Sequence, residues 1–359
     1  MSKAKKTAEL LRARINCGDY LLTDVPVERA LAEEVGVSRL TARKALLMMI
    51  EEGLLQRTPS GKVVCASTDK GDRVRQIAFL SPAFSSWNFD WWRFAIERCA
   101  SRSNIAIRPV DYVHWNDLVV ARTIERFDGV FLWPFMGEIP DNVLKIIRES
   151  EKPVALLESN GRELGIPSMQ MLPPESIQLL LELLASKGHK QIDVLSAQNF
   201  DPIIEARIQQ WSLWRSLHGI DGEFHNYPVK PYESTVSGGY NAMCKLVAEG
   251  RFKAKALLCT SEPAAIGAMR AMRDVGIRPG EDVAICAAKD EGMCRYVSPS
   301  LTVLECPKPD QYINLILDWM LSDKREWIGS LNLSPAQFQL FEGESTDFEL
   351  KVKHTSKSS

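Results

Sequence analysis

The chain has 359 residues, a length that favours two or three compact domains, each able to bury its own core. Hydrophobic residues make up 45% and charged residues 25% of the sequence, and no run approaches the roughly 20 apolar residues that a membrane helix needs. The N-terminal stretch also lacks the apolar core and cleavage site of a secretory signal. The composition therefore predicts a cytoplasmic protein with no membrane partner.

The net charge of −2 conceals an uneven distribution along the chain. Residues 1–65 contain 11 Lys and Arg against 8 Asp and Glu, so this head is basic and the remainder is acidic. A basic head on an acidic body suits a head that meets phosphate.

The eight cysteines are scattered singly, without a C-x-x-C pair or a histidine at metal-ligand spacing. We expect them to be reduced and mostly buried thiols. The sequence therefore predicts no metal site and no cofactor.

The first 65 residues predict three helices followed by a β-hairpin. Apolar residues repeat at helical spacing in residues 3–16 and again from Val27 to Val35. Ser38 is placed as the N-cap of a third helix, over residues 40–50, and residues 54–65 have the pattern of two short strands around a turn. Three helices and a hairpin make a winged helix.

Residues 26–46, PVERALAEEVGVSRLTARKAL, resemble the GntR family of winged-helix repressors. Glu52–Leu55 and Gly61–Lys62 fall where that family places the end of its recognition helix and its wing. The likeness covers residues 3–65 and implies that double-stranded operator DNA is a partner. The chain departs from the family at Val27, where a serine is usual, and at Ser60, where the wing usually has a glycine.

The candidate DNA contacts lie on the third helix, the helix before it and the hairpin. A helix N-terminus offers unpaired N–H groups to phosphate, and an arginine fork suits guanine in the major groove. The resemblance adds an arginine on the preceding helix, and the hairpin tip offers a lysine to phosphate or the minor groove. The predicted residues are Arg29, Ser38, Arg39, Thr41, Arg43 and Lys62.

Residues 67–76 are charged and nearly free of large apolar side chains, so they are predicted as a linker after a DNA-binding domain at 1–66. Beyond it, short apolar runs alternate with amphipathic segments, which indicates βαβ units and a parallel sheet. The predicted fold class is thus α/β, a small winged helix before a larger domain at 77–348. The polar residues 349–359 are expected to form a disordered tail.

The body resembles the LacI-type effector domain, in which two α/β lobes of periplasmic-binding-protein type enclose a ligand cleft. The likeness rests on the order of several segments, among them Ile77–Pro82, Phe127–Leu132, Lys187–Ile192, Gly276–Val283 and Pro299–Val303. A GntR-type head on such a body is the architecture of the arabinose-repressor subgroup. It implies a homodimer in which effector binding closes the lobes and changes the spacing of two heads on DNA.

In such folds the ligand lies at the carboxyl ends of the strands. These positions are aromatic here, with Trp87 and Trp91 after the first strand and Trp133 after the third, and aromatic faces pack against sugars. The resemblance adds two polar contacts, an arginine and an acidic residue in place of the usual aspartate. The third candidate polar contact is the last residue of Ala287–Asp290, the segment that stands where the family has Gly-x-Asp-Asp. These residues are Arg207, Glu262 and Asp290.

Several alternatives remain at this point. Each tryptophan could instead pack in the core or at a dimer face. Leu172–Pro174 and Ala287–Asp290 depart from the sugar-binding family, so the ligand could be a charged derivative or another metabolite. An enzyme fused to a DNA-binding head is disfavoured, because the sequence has no Walker loop, nucleophile elbow or histidine–carboxylate cluster. A periplasmic solute-binding protein is opposed by the DNA-binding head.

Overall fold

The computed structural model describes residues 2–66, 74–84, 86–101, 104–134, 138–199, 202–230, 232–322 and 326–347. The predicted tail at 349–359 lies outside these ranges, as does most of the predicted linker. Among the described residues, no helix combines the length and apolar character needed to cross a bilayer.

The head is the winged helix that the sequence predicts. Its elements are α1 (Lys3–Asn16), α2 (Asp19–Leu22), α3 (Glu28–Val35), α4 (Arg39–Glu51), β1 (Leu55–Arg57) and β2 (Val63–Cys65). The two strands pair antiparallel, and α1 and α3 pack on α4 around a core that includes Leu11, Leu31 and Met49. The tight turn into α4 is possible because Gly36 adopts a left-handed conformation with φ of 68°. Helix α2 was not predicted.

The body contains these elements in chain order: β3 (Arg75–Pro82), α5 (Trp87–Ala100), β4 (Ile105–Tyr112), α6 (Leu118–Arg126), β5 (Gly129–Leu132), α7 (Asp141–Glu149), β6 (Val154–Leu157), β7 (Ser168–Met169), α8 (Gln178–Ser186), β8 (Asp193–Ser196), α9 (Pro202–His218), β9 (Phe224–Asn226), α10 (Thr235–Ala248), β10 (Ala256–Cys259), α11 (Glu262–Asp274), β11 (Ala284–Ala287), β12 (Thr302–Leu304), α12 (Asp310–Leu321), β13 (Asn332–Leu333) and β14 (Leu340–Phe341). Single 3-10 turns occupy Pro174–Ile177 and Glu344–Thr346.

These strands form two six-stranded sheets, one in each lobe. The N-lobe sheet has the order β4-β3-β5-β6-β7-β13 and is parallel throughout. The C-lobe sheet has the order β9-β8-β10-β11-β12-β14 and is parallel except for β14. Central strands such as β5 and β10 are buried at every position because helices cover both faces of each sheet. The α/β prediction is confirmed.

The first body strand begins at Arg75, two residues before its predicted apolar run and inside the predicted linker. Arg75 and Gln76 extend the strand because they continue its pairing with β4, opposite Ile105 and Ala106. Gln76 is buried although it is polar, and its backbone N–H donates to Asp128 Oδ2 at 2.8 Å. Backbone pairing therefore starts the strand two residues before the apolar run from which the strand was predicted.

The chain passes between the lobes three times. After β7 it enters the C-lobe, after β12 it returns with α12 to the N-lobe, and between β13 and β14 it crosses again. Helix α12 packs against α5, and Arg98 joins them through a bidentate contact with Asp310 at 2.8 and 2.9 Å. The three crossings of the chain join the two lobes. A cleft opens between the carboxyl ends of the strands of the two lobes.

The head packs against the N-lobe of its own chain through α2. Leu21 and Leu22 lie against the apolar core beneath α6, and Arg126 of α6 donates to the carbonyl of Leu21 at 3.3 Å. Gln76 donates to the carbonyl of Asn16 at 2.5 Å. The unpredicted helix α2 and the end of α1 therefore contribute to the contact between the two domains.

The cysteines are free thiols. Four are buried (Cys99, Cys259, Cys286 and Cys294), and Cys17 is exposed. Burial thus holds for half of the eight residues, fewer than the sequence predicts.

Candidate DNA-binding surface and effector cleft

The N-terminus of α4 is shaped by two of the predicted DNA contacts. Ser38 is the N-cap, and its Oγ accepts from the backbone N–H of Thr41 at 3.2 Å and lies 2.8 Å from Thr41 Oγ1. This cap satisfies one of the N–H groups that a helix start leaves unpaired. The other N–H groups of the first turn remain on an exposed surface, where a phosphate could accept from them.

Arg39 and Arg43 project from the same exposed face of α4, with 76% and 61% of their side chains accessible. Glu28 of α3 stands between them, with its carboxylate oxygens 3.4 Å from Arg39 Nε and 3.8 Å from Arg43 Nε. A single half-buried carboxylate therefore holds both guanidinium groups in position across the helix-turn-helix. Sequence reasoning did not identify Glu28, which is the first residue of α3 and lies eleven positions before Arg39.

The other two predicted cations lie at the margins of this surface. Arg29 is exposed on α3 and pairs with Glu33 one turn later at 2.9 Å. Lys62 follows the hairpin turn and pairs with Asp24 at 2.9 Å. That contact, followed by the charges of Arg126 and Arg122, lowers the pKa of Asp24. The structure thus places Arg29, Arg39 and Arg43 around one helix-turn-helix, and Lys62 on the wing.

The hairpin turn is closed by hydroxyl groups. Thr58 Oγ1 lies 2.8 Å from Ser60 Oγ and accepts from the backbone N–H of Lys62 at 3.1 Å. Gly61 supplies the left-handed residue, with φ of 81°. The turn therefore needs one glycine, and Ser60 occupies the position where the GntR family usually has another.

A cavity of about 600 Å³ opens between the lobes. Its N-lobe wall comes from the end of β3 and the start of α5, and its C-lobe wall comes from the residues after β8 and the starts of α10 and α11. Hydroxyl, amide and aromatic groups dominate the lining. The described lining residues are Ala83, Phe84, Ser86, Trp87, Asn88, Gln198, Asn199, Val229, Tyr232, Glu233, Ser234, Thr235, Val236, Ser261, Pro263 and Glu291.

Of the six predicted ligand contacts, Trp87 lines this cavity. Trp91 lies one helical turn further along α5 and packs edge-to-face on Trp92, with ring centroids 5.1 Å apart. Trp133 packs edge-to-face on Phe89 at 5.0 Å, and its carbonyl accepts from Tyr112 at 2.9 Å. Trp91 and Trp133 therefore belong to the aromatic layer behind the N-lobe wall.

Arg207 is buried in the C-lobe, on the first half of α9. Its Nη2 donates to the carbonyl of Leu172 at 3.3 Å, and it borders a small apolar void beside Trp211. Trp211 in turn donates its indole N–H to the carbonyl of Ile192 at 3.1 Å. Both side chains hold α9 to the core beneath the cleft.

Glu262 and Asp290 shape the loop that follows β11. Glu262 is fully buried at the start of α11, and its carboxylate accepts from the backbone N–H groups of Glu291 at 2.7 Å and Met293 at 3.2 Å. Burial raises the pKa of Glu262 to about 7 despite these two contacts. Asp290 Oδ1 accepts from the N–H of Gly292 at 2.8 Å. Their carboxylates thus fold the loop that carries Glu291 into the cavity wall.

An ion pair missed by sequence reasoning joins the two lobes behind the cavity. Lys289 follows β11 in the C-lobe, and its Nζ lies 3.1 Å from Oε1 of Glu158, which follows β6 in the N-lobe. Each side chain is only 6% exposed. The same Glu158 oxygen accepts from the indole N–H of Trp92 at 3.2 Å. The only sequence signal was that Lys289 lies in the segment that departs from Gly-x-Asp-Asp.

Two family models match separate parts of the chain. Residues 3–63 match the gntR family of bacterial regulatory proteins, and residues 181–325 match a periplasmic binding protein-like domain. The first match covers nearly all of the winged helix, and the second covers most of the C-lobe, from within α8 to β12, together with α12.

Several transcription regulators are similar in sequence. The probable HTH-type transcriptional repressor ExuR of Bacillus subtilis is 26% identical over 57% of this chain and 59% of its own length. The arabinose metabolism transcriptional repressor of Halalkalibacterium halodurans is 20% identical over 80% of each chain. The repressor CytR of Escherichia coli K12 is 23% identical over 82% of this chain and 85% of its own. The chain thus spans well under two thirds of ExuR.

Solved structures agree on the fold. A lac repressor dimer bound to operator and the anti-inducer ONPF superposes with a TM-score of 0.64, at 18% identity, over 77% of this chain and 95% of that chain. The regulator CcpA of Lactococcus lactis gives 0.62 at 18% identity, over 76% of this chain and 100% of its own. The relatives named here are regulators of transcription rather than enzymes, as the sequence predicts. The chain joins a gntR-family helix-turn-helix domain to a periplasmic binding protein-like domain, and it is homologous to transcriptional repressors of the GntR and LacI types.

Proposed function

We propose that this protein is a cytoplasmic transcription repressor that binds operator DNA as a homodimer and is controlled by a small molecule, a sugar or sugar derivative, in the cleft between its lobes. In this proposal residues 1–66 bind DNA and residues 77–348 sense the ligand. The observation that carries it is the pairing of an exposed, arginine-bearing helix start on the head with a hydroxyl-, amide- and aromatic-lined cavity in the body.

The DNA-binding part rests on the geometry around α4. Arg39 and Arg43 emerge on one face, oriented by a shared carboxylate, while α1 and α3 cover the opposite face. An α-helix of this kind fits the major groove, and its arginines read guanine through two parallel hydrogen bonds. Arg29 and Lys62 flank this helix and would contact phosphates.

The sensing part rests on the cavity and on the way the lobes are joined. The cavity of about 600 Å³ has the size of sites that hold small molecules. Trp87 lines one wall with an aromatic side chain, and Asn88, Gln198 and Asn199 offer amide donors and acceptors suited to hydroxyl groups. A ligand that contacts both lobes would favour one lobe arrangement over another, which changes how the heads meet DNA.

Fluorescence anisotropy on labelled DNA from the protein's own promoter region tests this proposal. Random DNA is the control, and a panel of mono- and disaccharides is added as candidate effectors. We expect binding that prefers the promoter, weakens as salt rises and responds to a member of the panel. Equal binding to promoter and random DNA at every salt concentration would overturn the DNA-binding assignment. Promoter-specific binding that no sugar affects would overturn the assignment of a carbohydrate effector and leave the assignment as a DNA-binding regulator in place.

A further inference from the structure

An exposed leucine lies in the first turn of α4. Leu40 is 62% exposed, whereas Ala42, Ala45 and Met49 of the same helix are buried in the core of the head. On a helix of 3.6 residues per turn, position 40 lies on the side opposite these three residues. Leu40 therefore points away from the core, towards the surface that we assign to DNA.

Two cations stand beside this leucine on the outer side of α4. Arg43 and Lys44 follow Leu40 by one helical turn and are both exposed. Glu28 offsets part of the arginine charge from α3, but α4 itself carries no acidic residue before Glu51. The face around Leu40 is thus basic, and its partner is expected to be an anion such as the DNA backbone.

A second exposed apolar residue belongs to the same helix-turn-helix. Val27 is 70% exposed and is the N-cap of α3, where its side chain makes no capping hydrogen bond because it has no acceptor. In the described part of the head, Val27 and Leu40 are the most exposed of the large apolar residues. Packing and capping within the head therefore explain neither side chain.

The chemistry of the major groove shows which base an aliphatic side chain fits. Thymine presents a C5-methyl group beside its O4 acceptor, whereas cytosine, guanine and adenine present hydrogen-bonding groups alone. Leucine against those three bases would remove water from polar groups without replacing their hydrogen bonds. Against thymine it buries apolar surface of both partners, which is favourable.

We propose that Leu40 is a specificity-determining residue of the DNA-binding surface, and that it selects thymine through contact with the C5-methyl group. The inference rests on the proposed function and specifies one base of each operator half-site. The first turn of a recognition helix lies along base edges, so Leu40 is placed for this contact. Val27 starts the preceding helix, which crosses the DNA backbone in this motif, and does not reach a base.

Duplexes that differ by a single methyl group test this inference. The full-length protein is titrated by anisotropy against the labelled promoter fragment, in which the thymines of the protected region are replaced one at a time by uracil. Uracil forms the same base pair and lacks only the methyl group. At one thymine of each half-site we expect wild-type protein to bind the uracil duplex about fourfold more weakly, as the loss of one buried methyl group predicts. Leu40→Ala should not distinguish thymine from uracil at that position.

Two matched variants separate this contact from general effects. Val27→Ser changes the other exposed apolar residue of the helix-turn-helix, and Leu217→Ala removes a leucine of α9 that is 73% exposed in the C-lobe. Both variants should keep the fourfold distinction. Because the side chain of Leu40 is exposed, Leu40→Ala should unfold at the wild-type urea concentration, so a weaker complex would not reflect a fold defect.

The outcomes also separate this inference from the proposed function. Promoter-specific binding to which every thymine methyl group is indifferent would overturn the inference and leave the function in place. A distinction between thymine and uracil that survives in Leu40→Ala would do the same. Wild-type protein with no preference for promoter DNA would count against the proposed function itself, and the inference would fall with it.

Discussion

Arg108 of β4 donates to Asp19 of α2 at 2.8 Å, so an ion pair joins the DNA-binding head to the N-lobe of the sensor. The same Arg108 Nη1 lies 3.2 Å from the carbonyl of Cys17. Leu21 and Leu22 also pack against the N-lobe core. These contacts together fix the position of the head on the N-lobe. A movement of the N-lobe would therefore carry the recognition helix with it.

The contribution of the Asp19–Arg108 ion pair to the contact between the head and the N-lobe is measurable. In a double-mutant cycle with Asp19→Ala and Arg108→Ala, we expect a coupling of about 0.5–1 kcal/mol in the free energy of unfolding, because both side chains are about one-third exposed. Urea unfolding of the four proteins gives the number. Asp19→Ala combined with Arg270→Ala, on the distant helix α11, is the control and should be additive. Additivity in the first cycle would show that the pair does not hold the head.

The recognition helix and the wing should differ in what they contribute to DNA binding. Arg43→Ala is expected to lower discrimination between operator and random DNA by ~1–3 kcal/mol, because an arginine fork reads base edges. Lys62→Ala should weaken both complexes about equally and reduce the salt dependence, because a lysine amine contacts phosphate. Anisotropy titrations on both DNAs at two salt concentrations separate the cases. Unchanged discrimination in Arg43→Ala would remove α4 as the reading helix.

Trp87 is one of three aromatic residues in the described lining of the cleft, with Phe84 and Tyr232. Trp87→Ala should weaken binding of the effector by about 1–2 kcal/mol, near tenfold, since the ring face against the ligand is lost. It should cost little stability, because the side chain is already 39% exposed. Phe94→Ala is the matched control on the same helix, 57% exposed and absent from the described cavity lining. Equal losses in both variants would point to a general effect on α5.

Glu262 should make the stability of the sensor domain depend on pH. Burial raises its pKa from 4.5 to about 7, so between these values the folded protein binds more protons than the unfolded chain. Its contribution is complete below about pH 4.5 and is lost as the pH rises to 7, about 3 kcal/mol in all. Glu262→Gln should abolish that decline although it loses one backbone contact. Urea unfolding at pH 5 and pH 7.5 compares the two, with the exposed Glu249→Gln as control.

The sequence predicted the head closely because its boundaries carry local chemistry. Ser38 caps α4 through Thr41, and Gly36 ends α3, both effects of residues within a few positions. Helix α2 was missed because four residues cannot show a periodicity. Strands β13 and β14 have two residues each and were missed for the same reason.

The cleft was predicted in outline only. Trp87 was found because it follows a strand end, where the fold class places ligands. Trp91 and Trp133 follow the same rule, but helical rotation and packing place them behind the wall. The pairing of Glu158 with Lys289 joins residues 131 positions apart in different lobes, and no single-chain pattern reports such a contact.

The crossing of the chain between β13 and β14 has a practical consequence for where the protein can be cut. The N-lobe sheet ends at β13 and the C-lobe sheet at β14, and both strands lie in residues 332–341. A truncation after α12 would strip an edge strand from each sheet at once and expose two rows of unpaired backbone groups. A soluble sensor fragment therefore has to extend past Thr346. This residue lies in the last 3-10 turn, and its Oγ1 is hydrogen-bonded to Oγ1 of Thr302 at 2.6 Å.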